Sequence, residues 1–143
     1  MDVHPEMTLV SGVLPISIGR KNRDESDYNQ VWLVCDVDQF DVSATATLAH
    51  SQGIELAWSN PCFEVWLIIH LREGCPPFAD ATQAVDCLRK LLPRYNKEEL
   101  DFADFSDHLD EAIQRAKRLG GPPQANPSTG VGKLIEELRS ALR

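Results

Sequence analysis

The sequence has no CxxC pair, no internal repeat, no basic leader joined to an apolar segment and no surplus of positive charge. Each absence removes a class of function. The four cysteines, Cys35, Cys62, Cys75 and Cys87, stand at wide, irregular spacings, so neither a zinc site nor a dithiol redox motif is encoded, and the free thiols of a reducing cytosol are expected. The apolar run at residues 65–69 is far too short to cross a bilayer, which points to a soluble, cytoplasmic chain with no membrane partner. Lys and Arg number 14 against 22 Asp and Glu, a formal net charge of −8. A surface of that sign repels phosphate and excludes a broad basic nucleic-acid footprint. It leaves open chemistry in which a divalent cation joins a local acidic site to a phosphodiester.

What is present is an ordinary globular composition over 143 residues, 43% hydrophobic and 25% charged, which suits one domain over 1–143. Residues 1–20 keep no period and are broken by Pro5, Gly12, Pro15 and Gly19, so no element is assigned there. Residues 21–30 (KNRDESDYNQ) read as an exposed loop. Residues 31–37 (VWLVCDV) are β-branched and apolar on both faces, as a covered central strand requires. A helix over 41–52 closed by Gly53, then a strand at 54–58 (IELAW), completes a parallel βαβ unit. Asn60 suits an N-cap and Pro61 a first helical position for a buried helix over 62–71. Further helices are expected over 79–92, from a cap near Ser106 to Gly120, and after Ser128 or Thr129 with Val131, Leu134, Ile135, Leu138 and Leu142 on its apolar stripe.

The residues able to carry chemistry lie in four stretches. Asp36 and Asp38 stand at the carboxyl end of the first clear strand, the edge where open α/β sheets place ligands. As i and i+2 in a strand they would leave one face about 7 Å apart, within reach of one Mg²⁺. Alternatively Asp38 and Asp41 end the strand and cap the next helix. Glu64 is the sole charged residue between Ser59 and His70, and a buried carboxylate needs a metal, a basic side chain or backbone N–H groups beside it, unless it simply ties its helix to the preceding loop. His70 shares a helical face with Phe63, Trp66 and Leu67, which makes it either a core histidine or a general acid–base group. Lys97 is a candidate for phosphate contact. The NPST stretch at 126–129 offers a helix cap or an anion site.

In order, VWLVCDVD (31–38), SNPCFEVWLIIHL (59–71), RYNK (94–97), EAIQRAKRL (111–119) and NPST (126–129) resemble the RloB-like family, found beside bacterial restriction-modification loci and described as Toprim-related. The resemblance covers about three quarters of the chain. It implies a Toprim-like α/β fold: a small, mostly parallel sheet covered by helices, with a helix-rich C-terminal half. It also implies Mg²⁺, or Mn²⁺, held by Asp36, Asp38 and Glu64. Asp36, Asp38, Glu64 and His70 are then the catalytic candidates, and Asn60 and Lys97 the substrate contacts. The activity implied is phosphodiester cleavage of nucleic acid in bacterial defence, with a protein partner from a defence operon by analogy. The alternative is a noncatalytic domain that binds protein or nucleotide. Members open with a strand running into Glu-Gly; residues 1–30 offer no such pattern, Glu6 and Glu25 being in other contexts, so the chain reads as shortened or diverged at its N-terminus.

Overall fold

The computed structural model of the chain describes residues 6–9 and 30–141. Of the loop expected over 21–30 only Gln30 lies within that set, and Leu142 lies outside it. Four strands, β1 (Glu6–Leu9), β2 (Val31–Asp36), β3 (Glu55–Asn60) and β4 (Ser128–Thr129), form one sheet in that order. The pairings β1 with β2 and β2 with β3 are parallel, while β4 runs antiparallel to β3. Among the described residues five α-helices follow or interleave: α1 (Val42–Ser51), α2 (Glu64–Leu71), α3 (Ala81–Leu91), α4 (Leu109–Leu119) and α5 (Val131–Ala141). The result is the expected α/β architecture, mostly parallel in its sheet and helical in its second half.

The period of two along β2 divides its side chains between two apolar layers. Val31, Leu33 and Cys35 pack with Ala49, Ile54 and Trp58 on the side that α1 covers. Trp32 and Val34 face the larger layer, which holds Ala57 and every apolar residue of α2 from Val65 to Ile69. That is why α2 is apolar all round: it packs against β3, α3 and α4, and its residues Glu64 to His70 are all buried. Gly53 (φ +68°) and Gly120 (φ +102°) end α1 and α4 in backbone conformations that a Cβ disfavours, as the sequence suggests.

Several expectations give way to tertiary structure. An N-terminal strand is present: β1 sits against β2 with Glu6 opposite Val31, so the reading that this strand is missing is corrected. Its signal is only four residues long and carries no period of its own. β2 ends at Asp36, and Asp38 belongs to a 3₁₀ turn, Val37–Gln39, because its N–H leaves the ladder for the Pro61 carbonyl at 3.1 Å. Asn60 is no N-cap and Pro61 does not open a helix; Asn60 closes β3 opposite Ser128, the Asn60–Pro61 bond is cis, and α2 begins at Glu64. Ser106 opens a 3₁₀ turn, with α4 starting only at Leu109. Ser128 and Thr129 are strand residues, although the Thr129 hydroxyl also accepts the Val131 N–H (3.3 Å) and so caps α5.

Trp66, 5% exposed, bridges α2 to its neighbours, touching the His70 ring and lying where a side chain on Gly132 would project. Trp66→Ala should lower stability by about 3–5 kcal/mol through the cavity it opens. A denaturant melt showing a loss under about 1 kcal/mol would contradict this placement of α2.

Candidate acidic site at the sheet's carboxyl edge

Asp36, the last residue of β2, follows the pleat of Trp32 and Val34 and so emerges on the α2 side of the sheet. Its Oδ1 accepts the Phe63 N–H at 2.9 Å, just ahead of the first residue of α2. No local side chain caps that helix, so an acid from a strand 27 residues earlier supplies what Asn60 was expected to supply. Asp38 reaches another helix: its Oδ2 accepts the Ala81 N–H (2.7 Å) that opens α3. Asp41 caps α1 through the Ala44 N–H at 2.9 Å. Three acids within DVDQFD thus meet the starts of three helices.

Glu64 is 2% exposed, and its Oε2 accepts the Tyr95 hydroxyl at 2.6 Å. The Cys62 thiol, which donates to the Ala81 carbonyl at 4.0 Å, is close enough to feel the charge of this carboxylate. Tyr95, which the sequence marks only as part of RYNK (94–97), is the partner of this buried acid. The signal was there, since a buried acid demands a donor, but the donors considered were cations and backbone N–H groups, and the actual one is a phenol on the loop after α3. The tie therefore runs to a following loop and not to the preceding one.

Electrostatics joins these groups into one neighbourhood. Burial, and next the charge of Glu64, push the Asp36 carboxyl up to about 6 from an ordinary 3.8; the Phe63 N–H and the Lys97 ammonium act against that rise, and Asp38 adds to it. Burial pushes the Cys35 thiol up to about 12, with the Asp36 charge helping. Burial followed by Glu64 raises Cys62, and the same two causes raise Tyr95, so both remain protonated donors at neutral pH. Lys97 is exposed, yet close enough for its charge to be felt at Asp36.

Two expected site residues are engaged elsewhere. The Asn60 amide donates to the Pro123 carbonyl at 2.7 Å. His70 is a buried core histidine: its Nδ1 bonds to the Trp66 carbonyl (2.8 Å) and its ring meets Trp66 and Phe105 edge-on. Burial holds it below its usual range, and its charged neighbours are His108 and Arg115, not the acids of the sheet edge.

Among the described residues, no group of three or more His, Cys, Asp and Glu side chains is arranged to hold a metal ion. Mg²⁺, however, commonly takes only one or two carboxylates and keeps water or substrate oxygens in its other positions. Asp36 and Asp38 each commit one oxygen to a backbone N–H and keep the other without a hydrogen bond among the described residues. As hard anionic donors beside a parallel strand end, they fit Mg²⁺ or Mn²⁺ in chemical type.

Fold and site together define a small α/β protein with an acidic cluster at the carboxyl edge of its parallel strands. The family model described as RloB-like protein matches residues 4–138, and the chain belongs to the RloB-like family. No curated protein and no solved structure matches it. Among the described residues, no helix is long and apolar enough to cross a membrane.

Because folding raises the Asp36 pKa, the native state holds a proton that the unfolded chain gives up between its ordinary 3.8 and about 6. Stability therefore falls as pH rises through that window, by up to about 3 kcal/mol. Asp36→Asn keeps an acceptor for the Phe63 N–H and removes the charge. It should melt higher than wild type at neutral pH and lose the acid-side dependence; a variant melting lower at pH 7 would contradict this account of Asp36.

Proposed function

We propose that this RloB-like chain is a divalent-cation-dependent phosphodiesterase of Toprim type that cleaves nucleic acid in bacterial defence. The observation that carries the reading is the placement of Asp36. It is a half-buried carboxylate at the end of a parallel strand, beside Glu64 and Asp38, with the exposed Lys97 as the cation acting on it. Such a concentration of like charge is unfavourable in the isolated fold, and a cation with a phosphate behind it would offset it.

Asp36 and Asp38 would hold Mg²⁺ or Mn²⁺, with Glu64 beside them. Such an ion supplies neutralisation of phosphate oxygens and a water of lowered pKa. The chain's own groups do the rest. Tyr95 fixes the Glu64 carboxylate by its 2.6 Å hydrogen bond, so that this acid keeps one orientation beside Asp36. Lys97 on the same loop offers positive charge to a phosphodiester that the chain as a whole, at −8, would repel.

A second reading rests on a different observation: Asp36, Asp38 and Glu64 each already accept a hydrogen bond that fastens one element to another. On that reading the acids are structural, and the domain binds a protein or nucleotide partner without cleaving.

Incubation with panels of DNA and RNA in Mg²⁺ or Mn²⁺ separates the two. Cleavage should appear in the wild type and fall by about 100-fold or more in Asp36→Asn and Asp38→Asn, both of which retain the backbone contact. Cleavage that survives both substitutions, or its absence with every substrate and metal, would overturn the catalytic reading.

A further inference from the structure

Phe102 is 73% exposed and Leu100 49%, the two largest exposures among the described large apolar side chains. The Phe102 ring is carried on an anchored turn. Phe102 opens a 3₁₀ turn (Phe102–Asp104) that Asp101 caps through the Ala103 N–H at 3.0 Å. The Phe105 N–H returns to the Phe102 carbonyl (3.0 Å), and Arg94 pairs with Asp104. Phe105 itself is 4% exposed and packs edge-on against His70, so the turn is nailed to the core three residues beyond the ring it displays. The segment 94–107 that carries the ring holds five acids, Glu98, Glu99, Asp101, Asp104 and Asp107, against two cations, Arg94 and Lys97, with Asp104 paired to Arg94. An exposed aromatic carried on a net-acidic turn is suited to a groove that offers some apolar wall and a positive rim.

The chain carries such a recess. Between the loop after α2 and α3 lies a groove of about 420 Å³ whose walls include Pro76, Pro77, Cys87, the edge of the buried Phe78 and the amide of Gln83, and whose rim holds Arg72 and Lys90 against one acid, Asp86. The larger cleft beside α5 sets Lys117 and Lys133 against Glu136 and Glu137 and offers no net charge to an acidic partner.

We propose that the Phe102 turn of one molecule docks into the Arg72–Lys90 groove of a second copy. The contact is head-to-tail, with Phe102 entering between the two prolines and Phe78 while the acids around it face the basic rim. Turn and groove are different surfaces, so the contact is heterologous, and each molecule retains one free turn or groove with which to extend the assembly. The footprint is small, which places the association in the weak, concentration-dependent range.

Sedimentation velocity across a concentration series, from low to high micromolar, tests it. Wild type should associate as concentration rises, and less so at high salt. Phe102→Ala removes the turn's anchor, and the double variant Arg72→Glu with Lys90→Glu reverses the rim; each should sediment as a monomer with an unchanged melting profile. Mixed together, the two variants should form a one-to-one dimer, because the first keeps its groove and the second its turn. A wild type that stays monomeric throughout would assign this surface to some other protein and overturn the proposal. Association untouched by either variant, or no pairing in the mixture, would overturn it as well.

Discussion

The hydrogen bond from the Phe63 N–H to Asp36 is the constraint from which much of this fold follows. It joins the end of a central parallel strand to the start of a helix with no cap of its own, and that helix, buried along nearly its whole length, is the body around which α3, α4 and the sheet assemble. Asp36 can serve there only as an acceptor, and it does so in a place where its charge is poorly solvated and lies beside Glu64. The fold therefore carries a destabilising charge at the point that organises it. A chain that needed only the cap could use Asn or Ser at this position; a carboxylate makes sense where the charge itself has a use.

The same logic extends along DVDQFD. Asp36, Asp38 and Asp41 accept N–H groups at the starts of α2, α3 and α1 respectively, beside α3's own cap from Asp80 to the Gln83 N–H, so one short segment fastens the starts of three helices. A backbone N–H orients each acid. An oxygen left over on Asp36 and on Asp38 can turn outward without undoing the fold. Structural capping and cation holding are thus compatible duties for these two residues, and the site needs no separate scaffold. Tyr95 completes the arrangement from the far side of α3, bringing the loop that carries Lys97 against the buried Glu64.

Much of this was legible in the sequence, and what was hidden follows a physical pattern. The β-branched run of β2, the βαβ unit, the all-apolar character of α2 and the helical stripes of the C-terminal half are local signals, and each marked a real element. The order of the family segments pointed to the RloB-like family, and residues 4–138 belong to it. Boundaries failed where a distant partner decides them. Asn60 and Pro61 look like a helix start until Ser128 pairs with Asn60 and Asp36 arrives as the cap. The i, i+2 geometry given to Asp36 and Asp38 assumed a strand that ends two residues sooner. β1 is four residues long and is held by register with β2, which no local period reports. The partner of Glu64 lay 31 positions away on a loop, and sequence alone could say only that a partner was required.

The account turns on whether Asp36 and Asp38 jointly hold a cation, and a calorimetric titration of Mn²⁺ into the intact chain reads that directly. It predicts one ion per chain at neutral pH, with affinity reduced by about 10-fold or more in either Asp36→Asn or Asp38→Asn and weakened as pH falls toward the acid range where Asp36 takes up its proton. Heat indistinguishable from dilution, or an isotherm that both substitutions leave unchanged, would contradict it.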